Sequence, residues 1–178
     1  MLKKYFIIIL LSVSTVCCFS QQENKPVDDR GYIVKVGDFA PDFTIEFPDG
    51  RPSVKLSELR GKVIMLQFTA SWCSVCIKEM PHIEKDIWNA FKEKGLLLYG
   101  VDRKEAKDKV LKFAKKTKIT YPLIMDEDGS IFEKFAHENA GVTRNILIDK
   151  EGKIVFLTRL FEQNEFNLLV KKIEELLL

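Results

Sequence analysis

The chain has 178 residues, of which 46% are hydrophobic, 30% charged and 11% aromatic; this is material for one globular domain and excludes collagen-like, disordered and multi-domain readings. Lys plus Arg number 28 against 26 for Asp plus Glu, and the surplus of two corresponds to Lys3 and Lys4. Without a basic excess there is no charge footprint for a nucleic-acid backbone or an anionic membrane surface, and neither partner is expected.

Lys3 and Lys4 precede an apolar stretch that runs from Tyr5 to Phe19, after which polarity rises abruptly at Gln21-Gln22-Glu23-Asn24-Lys25. A basic start, a short apolar middle and a small residue before a polar region have the form of a secretory signal peptide over residues 1–20, with Ser20 last before the cut. A membrane anchor is disfavoured because the stretch falls short of the ~20 residues that cross a bilayer. Lipidation at Cys17 or Cys18 is the alternative, and it fits less well because Val16 or Cys17 would then stand where a small residue is usual. Cleavage leaves Cys73 and Cys76 as the cysteines of the mature chain. The folded part is expected outside the cytoplasm, in the periplasm or cell envelope, where disulfides persist.

Residues 21–30 are polar, contain Pro26 and have no period, which predicts a flexible lead to a single domain over residues 31–178. Residues 31–60 read as an N-terminal extension. Short apolar stretches, Tyr32-Ile33-Val34, Phe43-Thr44-Ile45 and Val54-Lys55-Leu56, are punctuated by Pro41, Pro48-Asp49-Gly50 and Pro52, a pattern of small strands and a hairpin. Ser57 to Gly61 predicts one helical turn. Val63-Ile64-Met65-Leu66-Gln67-Phe68 is almost continuously apolar, as a strand covered on both faces requires, and is predicted to be central.

Cys76, Met80, Ile83, Ile87 and Ala90/Phe91 then recur at helical spacing along one face. Pro81 predicts a kink near Ile77 to Pro81, since the stripe resumes in register. Leu96 to Val101 predicts a second buried strand. Ala106, Val110, Phe113, Ala114 and Thr117 mark another amphipathic helix, Pro122 to Met125 a short extended piece, and Gly129 to His137 a brief helix. Arg144 to Asp149 and Lys153 to Arg159, joined by Asp149-Lys150-Glu151-Gly152, predict a hairpin. A last helix places Phe166, Leu169, Val170, Ile173 and Leu176/Leu177 on one face. The order β-α-β-α-β-β-α implies an α/β fold with a mixed central sheet and helices on both faces.

Trp72-Cys73-Ser74-Val75-Cys76 lies where the central strand passes into the proline-containing helix. Cysteines at i and i+3 on a helix start share a face and can close and reopen a small disulfide ring. Cys73, in the first turn, has its thiolate stabilised by unpaired N–H groups and the helix dipole and is the candidate attacking sulfur. Cys76, a turn deeper, is the candidate resolving sulfur. A zinc site is disfavoured, because beyond the two cysteines the mature chain offers only His82 and His137, with no second close pair; no metal or cofactor is expected. A purely structural bridge across so short a loop adds little stability.

The segments Val36-Gly37-Asp38-Phe39-Ala40-Pro41-Asp42-Phe43, Leu56-Ser57-Glu58-Leu59-Arg60-Gly61-Lys62, Phe68 to Pro81 with its Trp-Cys-x-x-Cys, and Ile148-Asp149-Lys150-Glu151-Gly152-Lys153-Ile154 resemble the TlpA/ResA group of exported thioredoxin-like thiol-disulfide oxidoreductases. The resemblance implies a thioredoxin fold with an N-terminal β-hairpin extension and dithiol chemistry on partner proteins. It implies no cofactor beyond the cysteines. Partners would be protein thiols or disulfides and a thiol electron donor; a lipid anchor or a membrane redox partner would be the only membrane link, and a monomer is expected. It also matches Glu79 to an acidic residue beside the cysteines, a candidate proton relay for Cys76. Gln67 stands where cytoplasmic thioredoxins carry a buried, titrating Asp. Thr143 occupies the slot of the usual cis-proline facing the cysteines. The Val142 backbone would pair with an incoming peptide strand, and Trp72, Thr143 and Arg144 join it as candidate substrate contacts. Arg144 would either approach Cys73 and favour its thiolate or be an exposed arginine at a strand start.

Two other functions compete. A peroxiredoxin-like thiol peroxidase is suggested by the Ala40-Pro41-Asp42-Phe43 segment and by Thr143-Arg144, but Leu66 and Ala70 occupy the positions where that chemistry places a proline and an activating threonine. A non-catalytic binding or chaperone module would use the same surface without turnover.

Overall fold

The computed structural model describes residues 30–178. The expected signal peptide, Cys17, Cys18 and all but the last residue of the polar lead lie outside the described residues. A five-stranded sheet organises the domain, with strands β3 (Val63–Thr69), β4 (Leu96–Arg103), β5 (Leu123–Asp126), β6 (Arg144–Ile148) and β7 (Ile154–Arg159). Their spatial order is β5-β4-β3-β6-β7. The β3/β4 and β4/β5 pairs are parallel, and β3/β6 and β6/β7 are antiparallel.

Every residue of β3 is buried, as its near-unbroken apolar sequence predicts. The period-2 pleat sends Ile64, Leu66 and Phe68 to one core and Val63 and Met65 to the other. Helices α1 (Ser74–His82), α3 (Lys107–Thr117) and α5 (Gln163–Leu177) pack on the second face through Met80, Val110, Phe113, Phe166 and Leu169, with Ile83 just beyond α1. The first face is covered by the short α4 (Ser130–Glu133), with Ile131 and Phe132, and by the N-terminal extension, with Phe43, Ile45 and Phe47. Fully burying each such side chain contributes about 1.5–3 kcal/mol.

The extension forms a two-stranded antiparallel sheet, β1 (Thr44–Ile45) with β2 (Val54–Lys55), followed by a 3-10 turn at Leu56–Leu59. Tyr32-Ile33-Val34 is not a strand: Tyr32 makes a single bridge to Ala136, and its phenol reaches the Thr158 carbonyl at 2.5 Å. The short extended piece before α4 is a sheet strand, β5, because its parallel pairing with β4 satisfies backbone groups that a short sequence window cannot assign. Pro81 does not break α1. The irregularity follows it as a π-helical segment at Ile83–Trp88, continued by α2 (Asn89–Phe91), and Ile83, Ile87 and Phe91 keep the buried seam. The predicted helix after Gly129 is limited to α4. Gly152, with φ +85°, closes the β6/β7 turn, donating its N–H to the Asp149 carbonyl at 3.0 Å.

Candidate active site at the head of helix α1

Strand β3 ends at Thr69, and the turn that follows is closed by Cys73 N–H donating to the Ala70 carbonyl at 3.0 Å. Cys73 is the N-cap of α1, with extended backbone, and its Sγ accepts the Cys76 N–H at 3.2 Å. A sulfur in a capping role sees an otherwise orphaned helix donor, the environment that stabilises a thiolate. Cys73 and Cys76 are joined as a disulfide with Cα atoms 5.3 Å apart. Cys73 keeps 7% of its surface exposed and Cys76 none, so the outer and inner sulfurs are geometrically distinct.

Thr143 lies across from this pair. Its Oγ1 is 3.2 Å from Cys73 Sγ and 3.3 Å from Cys76 Sγ. Its carbonyl accepts from Leu160 N–H at 3.2 Å and from the Arg159 guanidinium at 3.3 Å, which ties the loop to the end of β7. A Cβ on Gly141 would meet that guanidinium and displace it from the Thr143 carbonyl. No peptide bond among the described residues is cis, and the Val142–Thr143 bond is therefore trans. Val142 is buried, and among the described residues its backbone N–H and C=O make no hydrogen bond.

Glu79, one turn beyond Cys76, is 1% exposed. Asn145 Nδ2 donates to its Oε1 at 2.6 Å and Gln67 Nε2 to its Oε2 at 3.4 Å. Tyr121 OH donates to Gln67 Oε1 at 2.6 Å, which turns the amide N–H2 of Gln67 towards the carboxylate. Asn145 Nδ2 also reaches Thr158 Oγ1 at 2.9 Å. Burial pushes the Glu79 carboxyl up to about 7, against the opposing pull of the two amide donors. The carboxyl is thus poised to exchange a proton near neutral pH. Asn145, Tyr121 and Thr158 are site residues that sequence reasoning missed. The available signal was weak: an Asn and a Thr facing each other in two strands that are otherwise apolar except for an Arg at one end of each.

One candidate contact sits elsewhere than expected. Arg144 is fully buried rather than exposed: its Nε donates to the Gly141 carbonyl at 3.1 Å and Nη2 to the Arg30 carbonyl at 2.7 Å, and its guanidinium stacks over Tyr32 at 4.4 Å. The chain of residues 30–32 crosses Arg144 and covers it. Trp72, next to Cys73 in the chain, is 63% exposed. His82 stacks on Phe161, with ring centres 4.8 Å apart.

A second buried acid supports the turn before Cys73. Glu105 accepts from Ser71 N–H and Ser71 Oγ–H, both at 2.7 Å, and pairs with Lys109 Nζ at 2.5 Å. Its neighbour Asp102 is fully buried, and burial, then Glu105, push its carboxyl up to about 8. Burial works on Glu105 in the same sense, but Lys109 and the Ser71 donors hold it below the usual carboxylate range. Burial and the neighbouring Glu105 carboxylate thus favour the protonated form of Asp102, whereas Lys109 and the Ser71 donors favour the charged form of Glu105. Among the described residues no group of three or more His, Cys, Asp or Glu side chains is placed to hold a metal ion.

A mixed sheet with a disulfide-forming Cys-x-x-Cys at the head of the helix after its central strand defines a thiol-disulfide oxidoreductase of the thioredoxin superfamily. Residues 36–157 match the AhpC/TSA family. A thiol-disulfide oxidoreductase ResA of Bacillus thuringiensis subsp. konkukian (strain 97-27) is 30% identical over 131 residues, covering 71% of this chain and 73% of that protein. A candidate protein disulfide isomerase from Bacteroides thetaiotaomicron, solved in solution, superposes with a TM-score of 0.79 at 59% identity, covering 83% of this chain and 92% of that one. A candidate thiol:disulfide interchange protein DsbE from Chlorobium tepidum gives 0.71 at 26% identity, covering 81% and 99%. The chain belongs to the AhpC/TSA family, and within it to the TlpA/ResA-like thiol-disulfide oxidoreductases.

Proposed function

We propose that this protein reduces disulfides of exported proteins, with Cys73 attacking and Cys76 resolving. The Cys73 thiolate attacks one sulfur of a substrate disulfide, forming a mixed disulfide and releasing the other sulfur as a thiolate. Cys76 loses its proton and attacks Cys73 Sγ, which releases the second substrate thiolate and closes the Cys73–Cys76 bond. Two electrons pass from the dithiol to the substrate, and a thiol donor returns them. Glu79 serves as the proton acceptor for Cys76, and the Thr143 hydroxyl donates to whichever sulfur carries charge. Trp72 and the unengaged backbone of Val142 offer the surface on which a substrate strand lies. Arg144 acts from beneath by fixing the Gly141 end of that loop.

The observation that carries this reading is the asymmetry of the two sulfurs, one capping the helix with a little exposure and the other fully buried. The apolar leader of residues 1–20 supports export, and among the described residues no helix is long and apolar enough to cross a membrane. The buried, wholly apolar Leu66 and Ala70 argue against a peroxidase, which needs an activating hydroxyl at the second position. The test is the reduction potential of the couple, together with trapping of substrates in a Cys76→Ser variant. Mixed disulfides through Cys73 with exported proteins are the expected result. Fast oxidation of Cys73 by hydrogen peroxide without any reduction of protein disulfides would reverse the assignment.

A further inference from the structure

Helix α3 carries Lys107, Lys109, Lys112, Lys115 and Lys116, with Lys118 just after it, against the single acid Asp108. The chain as a whole is close to neutral, so this is a strong local concentration of charge. Lys109, Lys112 and Lys116 fall on one helical face. That face borders the active-site turn: a cleft of about 190 Å³ is lined by Ser71, Lys109, Lys112, Phe113 and Lys116. Ser71 is two residues from Cys73.

Helix stability accounts for only part of the pattern: Lys115 and Lys116 stand in the last turn, where the dipole favours cations. Lys107 and Lys109 stand in the first turn, where the dipole disfavours cations, and Lys112 and Lys116 repel each other one turn apart. Lys109 is committed to Glu105 at 2.5 Å. Lys112 and Lys116 are exposed and, among the described residues, make no ion pair. A helix that bears uncompensated like charge along the rim of a reactive centre is organised for something outside the chain.

We propose that the Lys112–Lys116 face of α3 is the docking surface for an acidic segment of the protein whose disulfide meets Cys73. A protein partner is favoured over a nucleic acid or a lipid surface because the cleft is lined by Ser71, in the turn that leads to the sulfur proposed to react with protein disulfides, and because the rest of the chain has no basic excess. Phe113 forms the floor of the cleft but is buried in the core, so the charges of Lys112 and Lys116 carry the recognition. The docking rests on the exchange reaction proposed above and adds to it a class of substrate.

The test uses peptides that contain one disulfide each and differ only in an acidic, neutral or basic flank, with hydroxyethyl disulfide as a small uncharged control. Exchange with the reduced protein is followed by stopped flow. The acidic peptide reacts ~10-fold faster than the neutral one at low ionic strength, within the range that steering provides, and the advantage disappears in high salt. The double variant Lys112→Glu, Lys116→Glu reverses the order of the acidic and basic peptides while hydroxyethyl disulfide reacts at the wild-type rate. Equal rates for the acidic and neutral peptides in the wild type, or an unchanged preference in the double variant, overturn the docking surface. Binding of heparin or anionic vesicles with no peptide preference overturns the protein partner. Failure to exchange with any disulfide, the small control included, overturns the thiol-exchange reading and the docking with it.

Discussion

Thr143 places its hydroxyl oxygen 3.2 Å from the Sγ of Cys73, the sulfur that caps helix α1. The same oxygen is 3.3 Å from Cys76 Sγ, so one rotatable O–H serves both ends of the disulfide. A hydroxyl in this slot does what a proline cannot: it donates to a thiolate. The loop that carries it is held by Arg159 and Leu160 through the Thr143 carbonyl, and rotation of the O–H needs no backbone motion.

Replacing Thr143 by Val keeps the shape and removes the donor. A hydrogen bond to a charged group contributes about 1.5–3 kcal/mol, so the Cys73 thiol pKa rises by about one to two units and attack at neutral pH slows accordingly. Thr143→Ser keeps the wild-type value. Alkylation rate against pH measures both variants. Equal thiol pKa values in Thr143→Val and wild type would show that the contact is only steric.

Glu79 gives a stability signature with a definite sign. Its carboxyl titrates at 4.5 when exposed and at about 7 in the fold because burial disfavours the anion. The folded state binds the extra proton, so the contribution to stability is full below about pH 4.5 and is lost as pH rises through about 7. A difference of this size corresponds to about 3 kcal/mol. Glu79→Gln therefore flattens the dependence of the urea midpoint on pH between those limits and is the more stable protein at pH 8. The same variant loses the inflection near pH 7 in the rate of mixed-disulfide resolution. A resolution rate with an unaltered pH profile would remove Glu79 from the proton path.

Tyr121 acts on Glu79 through Gln67. Its phenol donates to Gln67 Oε1 at 2.6 Å and so holds the amide with Nε2 facing the carboxylate. In Tyr121→Phe the amide is free to turn its oxygen to Glu79, which disfavours the anion further. The midpoint near pH 7 moves upward, and stability falls by about 1 kcal/mol from the lost buried bond. Carboxyl titration by NMR follows the midpoint; a downward shift contradicts the orienting role.

Glu105 ties down the turn ahead of Cys73. Glu105→Ala leaves the Ser71 N–H and hydroxyl without their acceptor and Lys109 without its partner, and costs about 2–4 kcal/mol. Amide exchange at Ser71 accelerates more than exchange at Leu66 in the centre of β3. Glu105→Gln keeps one acceptor and shows a smaller loss of stability. Uniform acceleration across the domain would mean that Glu105 serves global stability and not the turn.

Local patterns read from the chain account for much of this architecture. The apolar run of β3, the helical stripe through Met80 and Ile83, the Asp149 to Gly152 turn and the Cys73/Cys76 spacing depend on neighbours within a turn or a hairpin, and such neighbours are adjacent in sequence. The surroundings of the cysteines do not have that property. Gln67 and Asn145 meet because β3 and β6 pair in that register, Tyr121 enters from the segment before β5, and Arg144 is buried because residues 30–32 cross it. Burial and register decide whether a carboxylate titrates near 4.5 or near 7, and both are properties of chain segments that the linear order keeps far apart. The sequence by itself determined that two thiols would share the head of a helix behind a buried strand. Only the tertiary structure decided which hydroxyl, which carboxyl and which amides surround them, because the free energy of a charge depends on what surrounds it in space.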